Sequence, residues 1–115
     1  MIRAIAASIT TLLLAATASA ADDPSIAASE KSAIQRAMKT YITTLSDKRG
    51  FPIFDHTAKQ LVRLKLDELH SGVAKKGDLY VSCADFAGPD GTKYDLDFLV
   101  QPDGLIAWRG NDCQG

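Results

Sequence analysis

The sequence predicts an α+β domain in which one N-terminal helix packs on a four-stranded antiparallel meander. Three observations carry this. Apolar residues recur at helical spacing ahead of Gly50, the period changes to two after it, and the triplet Pro-Asp-Gly occurs twice between the later apolar runs.

Asp22-Asp23-Pro24 reads as a helix start, because Asp accepts hydrogen bonds from first-turn N–H groups and Pro is tolerated at the first helical position. Ile34, Ala37, Met38, Tyr41, Ile42 and Leu45 then form one apolar stripe, with Glu30, Lys31, Gln35, Arg36 and Lys39 largely on the other side. Lys48, Arg49 and Gly50 read as the stop: basic groups at the negative end of the dipole, then a glycine able to take the left-handed cap. The helix is therefore placed at residues 24–47. Phe51-Pro52-Ile53-Phe54 is an extended lead-in that Pro52 confines to an edge or to a place outside the sheet. Over residues 61–69, Val62, Leu64 and Leu66 alternate with Arg63, Lys65 and Asp67, the pattern of a half-buried strand. Residues 71–77 read as a polar connection, and residues 78–86, 93–100 and 105–109 as three further strands.

The two Pro-Asp-Gly corners set the register. Pro89-Asp90-Gly91 and Pro102-Asp103-Gly104 fit three-residue hairpin loops, with Pro fixing φ near its ring value and Gly supplying a positive φ. Around the first loop Phe86 then faces Tyr94, Ala84 faces Leu96 and Ser82 faces Phe98. Around the second, Val100 faces Ile106 and Phe98 faces Trp108. Tyr80, Ala84, Phe86, Tyr94, Leu96, Phe98, Val100, Ile106 and Trp108 share one face in this register, and a slip by one residue would scatter them. That face is expected to receive the helix, with Tyr80 and Trp108 as core rather than groove residues.

The same register gathers carboxylates on the opposite face. Asp85 faces Asp95, Cys83 faces Asp97 and Val81 faces Leu99. Asp85, Asp95 and Asp97 are the candidate binding residues, because like charges directly opposite destabilise a strand pair unless something offsets them. Lys93 beside Asp95 is one offset, and calcium through oxygen ligands is another, although a flat strand face does not wrap an ion. A solvated acidic face is the plain reading, and neither a metal site nor a cofactor is assigned.

The first twenty residues read as a cleavable signal peptide. Arg3 is its positive start, Ile9, Leu12, Leu13 and Leu14 centre its apolar stretch, and Ala18-Ser19-Ala20 is the small-x-small cleavage pattern. The apolar run is too short to span roughly 30 Å of hydrocarbon. Residues 1–20 are thus expected to be removed and residues 21–115 to form a single domain, periplasmic or secreted, with no membrane insertion after cleavage. The whole chain carries 13 basic and 14 acidic residues. With no basic stripe, nucleic acid is excluded as the expected partner. The two cysteines, Cys83 and Cys113, read as a disulfide in an exported chain; there is no CxxC, and no histidine stands beside either. For the bridge to form, the segment after the fourth strand must cross the acidic side of the sheet.

His56 and His70 are the only histidines. Asp55-His56 are sequence neighbours that rarely point together, and His70 ends the first strand. No GxSxG accompanies them. The function is therefore left open between a non-enzymatic module that binds a protein or small ligand, an accessory that offers the first strand or residues 51–54 as an edge to a partner, and a small enzyme using His56 or His70 with an aspartate in a helix–sheet cavity. The non-enzymatic reading is preferred, because no catalytic set is assembled in the sequence.

LKLDELH at residues 64–70, YVSCADF at 80–86 and DGTKYDLDFLV at 90–100 resemble a pattern found in small bacterial secreted or periplasmic proteins of unknown function, an LKLxxLH strand followed by CxDF and DGxxYDLDFxV strands. The resemblance covers about residues 51–104. It implies a single exported domain and assigns no activity. As a layer arrangement alone, the expected fold resembles the cystatin-like architecture.

Overall fold

The structure, a computed structural model, describes residues 22–110. The expected signal peptide, residues 1–20, and Cys113 lie outside the described residues. The chain forms α1 (Ala28–Leu45) and then six strands: β1 (Phe51–Asp55), β2 (Gln60–Leu69), β3 (Ala74–Lys76), β4 (Leu79–Ala87), β5 (Lys93–Val100) and β6 (Ile106–Gly110). All strand pairs are antiparallel, in the order β1-β2-β4-β5-β6, with β3 also on β4. The fold is α+β, and the four-stranded expectation is corrected in two places. Phe51–Asp55 is a true edge strand on β2, where Pro52 fits because an edge residue can lack an N–H. Residues 74–76, expected in a connection, pair with Leu79–Val81 and prolong the path of β2 along β4.

The helix is shorter than its sequence signals. Asp23 accepts from the Ser25 N–H at 2.9 Å and caps a turn ahead of the helix, while the helix itself starts after Ala27 without a side-chain cap. It stops at Leu45, where the Ser46 N–H donates to the Thr43 carbonyl and the Ser46 hydroxyl to that of Ile42. Lys48 and Arg49 fall outside it. Gly50 belongs to a separate corner, exchanging two backbone hydrogen bonds with Asp47 at 3.0 and 3.1 Å. Ile34, Met38 and Ile42 are buried as the stripe requires and Ala37 and Tyr41 pack partly against the core, but Leu45 is exposed.

The core lies between this stripe and the concave side of the sheet. Tyr41 sits edge-on to Phe51 and Phe98, with ring centroids 6.0 and 6.1 Å away, and Phe51 stacks on Phe86 at 5.5 Å. The sheet curls until Arg109 of β6 reaches β1 at the opposite edge. Its guanidinium lies 5.1 Å from the centre of the Phe51 ring and donates to the Pro52 carbonyl at 3.3 Å. Buried Ser82 is satisfied by the Gly72 carbonyl at 2.6 Å, and Val73 is tucked fully into the core.

Both hairpin corners follow the Pro-Asp-Gly chemistry. Gly91 and Gly104 have φ of 86° and 91°, and Asp90 and Asp103 each accept from the N–H two residues on at 3.0 Å. The β4–β5 register is the expected one throughout, from Ala87↔Lys93 to Tyr80↔Val100. In β5–β6 only Val100↔Ile106 holds. Ala107 is then an extra residue, so that Leu99 faces Trp108 and Phe98 faces Arg109. This bulge turns Trp108 onto the convex side, where it is 54% exposed, and corrects its expected core position. Trp108 is the only tryptophan. Its fluorescence is expected toward the red, solvated end of the range, with acrylamide quenching well above that of a core indole; the blue-shifted, protected emission of a core tryptophan would contradict the bulge.

Candidate functional site

The convex side of the sheet carries the acidic site. Asp85 and Asp95 are cross-strand partners, as are Cys83 and Asp97, so the three predicted aspartates do share one face. The structure adds residues that strict alternation along β2 would have placed elsewhere. Between Leu66, which faces Phe86, and Glu68, which faces Asp85, Asp67 is an extra residue. Val62, Leu64 and Leu66 point to the core, but after this bulge Leu69 does so instead. Glu68 and His70 are thereby turned outward. The signal was present in the sequence as a change of parity in the apolar positions, from 62, 64 and 66 to 69.

The result is a row of three acids across three strands, Glu68↔Asp85↔Asp95, with Asp97 two residues along β5. His70 lies against it. Its N–H donates to the Cys83 carbonyl at 2.9 Å and its own carbonyl accepts from the Gln35 side chain of α1 at 2.6 Å, which fixes its backbone at both ends. Its Nε2 is 2.8 Å from Asp85 Oδ1 and 3.8 Å from Asp95 Oδ1. Beside the pair is a small hollow of about 190 Å³ lined by Asp67, Asp85, Phe86, Lys93, Tyr94 and Asp95.

The electrostatics are those of a crowded anionic patch. A hydrogen bond shared with the Asp95 carboxyl holds the Asp85 carboxyl below its ordinary value of 3.8, against desolvation, which raises it; the hydrogen bond from His70 and the charge of Lys93 lower it further. A lowered carboxyl favours the folded state above its unfolded value, and this contribution is lost as pH falls through the lowered one. Glu68 stands directly opposite Asp85 on β2. Glu68→Gln is expected to raise stability by about 0.2–1 kcal/mol at neutral pH by removing a like charge opposite Asp85. A urea melt at low salt checks this, and a loss of stability would contradict the repulsive row.

The imidazole geometry limits the chemistry. His70 Nδ1 is buried and has no hydrogen-bond partner among the described residues. The neutral tautomer with its proton on Nε2, donated to Asp85, leaves only a lone pair there. The ligand atoms of His70, Asp85 and Asp95 lie within 4.8 Å of one another, a spacing that suits a metal ion. Coordination through Nε2 would force the proton onto Nδ1, where no acceptor waits. The carboxylates are therefore the better cation ligands, and His70 is an orienting donor to Asp85. Acting as a general base would also require a nitrogen open to substrate, and Nδ1 is not.

His56 is not brought to any carboxylate pair. It is exposed after β1, with its ring 5.0 Å from that of Phe54. The Asp55 carboxylate instead accepts from the Thr57 and Ala58 N–H groups at 2.9 and 3.0 Å and from the Tyr94 hydroxyl at 3.1 Å. Tyr80, expected in the core, is buried and donates its hydroxyl to Glu30. Cys83 is fully shielded from solvent although its strand position faces outward. Among the described residues no helix is long and apolar enough to cross a membrane. Comparison with known proteins gave no match to a family model, a curated protein or a solved structure.

Proposed function

We propose that the chain is a small exported, disulfide-braced, non-enzymatic module that binds a cationic group of a protein or small ligand on the convex acidic face. The observation that carries this is the row Glu68↔Asp85↔Asp95 with Asp97 beside it. Glu68 directly opposite Asp85 is a like-charge pair, which costs a sheet stability. Opposing acids that cost stability are what a surface retained for binding would show.

The enzyme alternative has one observation in its favour, the 2.8 Å contact of His70 with Asp85. It is weakened by the buried Nδ1, and His70 is not among the residues lining the adjacent hollow. Export to the periplasm or beyond rests on the leader, residues 1–20, and on the likeness to small secreted proteins. A helix held by a curled antiparallel sheet supports the cystatin-like resemblance as architecture. The bridge from Cys83 to Cys113 would close a loop of about 30 residues, worth about 3–4 kcal/mol in the chain-entropy account. Solvent-shielded Cys83 on an outward position is consistent with a segment crossing that side.

A melting experiment in calcium tests the cation reading. The melting temperature of the processed chain should rise with calcium, and the Asp85→Asn, Asp95→Asn, Asp97→Asn triple variant should not respond. Equal behaviour of the two proteins would remove the metal version and leave cationic side chains as the ligand.

A further inference from the structure

We infer that a second groove, beside the first half of β2, binds a small amphiphilic anion: a carboxylate or sulfonate head on an apolar body. The inference is independent of the acidic face.

Successive side chains of a strand alternate sides, so Leu61, Arg63 and Lys65 share the outward side of β2. With Arg49 from the corner before β1, and with Pro89 and Tyr94 from the β4–β5 hairpin, they line a groove of about 660 Å³. That volume lies within the usual range of about 300–1,000 Å³ for small-ligand sites. Leu61 is 61% exposed within it, an apolar side chain with no cover.

The charge around this apolar floor is one-sided. Arg49, Arg63 and Lys65 face a single lining carboxylate, Asp90, whose Oδ1 already accepts from the Thr92 N–H. Asp47, outside the lining, serves both arginines, at 3.6 Å from Arg49 and 3.3 Å from Arg63. Lys65 has no ion-pair partner among the described residues. The Arg63 Nε stands 3.3 Å from the Asp47 carboxylate, while its Nη1 is shielded from water and makes no hydrogen bond among the described residues. Asp47 already stands beside Arg63, so an anionic head in the groove supplies counter-charge chiefly to exposed Lys65 and Arg49. An inorganic anion would leave Leu61 bare, and a neutral hydrocarbon would leave the cations unmatched. An amphiphilic anion answers both.

The test uses the chain of residues 21–115 and 1-anilinonaphthalene-8-sulfonate, followed by fluorescence. One saturable site is expected, with the probe displaced by decanoate and not by decyltrimethylammonium. Arg49→Gln/Lys65→Gln, both at exposed positions, should weaken the probe about a hundredfold at an unchanged melting temperature, since each of the two lost charge-assisted contacts is worth roughly tenfold. Leu61→Ser should weaken it as well. The triple asparagine variant of the acidic face should bind the probe as the parent does. Absence of a saturable site, equal displacement by the cationic amphiphile, or binding unchanged in both groove variants would overturn the inference.

Discussion

Phe98→Ala is expected to lower the unfolding free energy by about 3–5 kcal/mol, the range for removing a large aromatic ring from a close-packed core. Phe98 is 0% exposed, lies on β5 between Ser82 and Arg109, and meets the Tyr41 ring of α1 edge-on. Its loss empties the point where helix and sheet touch, and neither β4 nor β6 can move in without breaking its ladder. Small domains have only about 5–15 kcal/mol to lose, so the variant should be near the edge of folding at 37 °C. Urea unfolding followed by circular dichroism reads the effect directly. Phe98→Leu, which keeps most of the volume, should cost clearly less. A loss below about 1.5 kcal/mol for Phe98→Ala would mean the ring is not the keystone of the helix–sheet contact.

Gly50→Ala is expected to be nearly as damaging for a different reason. Gly50 has φ of 126°, a conformation open to glycine and strained for any other residue by about 1–3 kcal/mol. A Cβ there would stand 2.3 Å from the Leu64 carbonyl oxygen and 2.9 Å from its carbon. Both atoms are backbone, so relief requires β1 to lift away from β2 where Phe51 pairs with Leu64. Phe51 is buried and stacked on Phe86, so the displacement reaches the core. Together the terms predict a loss of about 2–5 kcal/mol. Thermal unfolding checks it, and a variant melting with the parent would show that the corner tolerates a side chain.

Those two residues also mark what the sequence made legible. Phe98 was readable because its strand is flanked by two Pro-Asp-Gly corners, which fix the face of every side chain in β5. Gly50 reads from the sequence as the helix stop, yet the helix ends at Leu45 through Ser46, and the glycine is needed where β1 leaves the Asp47 corner and passes close to Leu64. Local chemistry signals that a glycine is required, not which neighbour crowds it.

The candidate site divides in the same way. Asp85, Asp95 and Asp97 could be placed together because one hairpin relates them. Glu68 is absent from the patch read from the sequence, and His70, named there with an unspecified aspartate, is not placed beside Asp85, because strict alternation along β2 puts both on the other face, although Leu69 contradicts it. Trp108 was misplaced by the corresponding bulge at Ala107, for which the short β6 pattern offers no compensating apolar residue. Long-range pairing is read reliably through tight turns and poorly across bulges, where one extra residue exchanges the faces.

Isothermal titration of the processed chain with a tetralysine peptide at low salt tests the binding face most directly. The account predicts heat of binding to the parent protein that weakens as salt screens the charges and disappears in the Asp85→Asn, Asp95→Asn, Asp97→Asn variant. Equal binding by both proteins, or none by the parent, would contradict it.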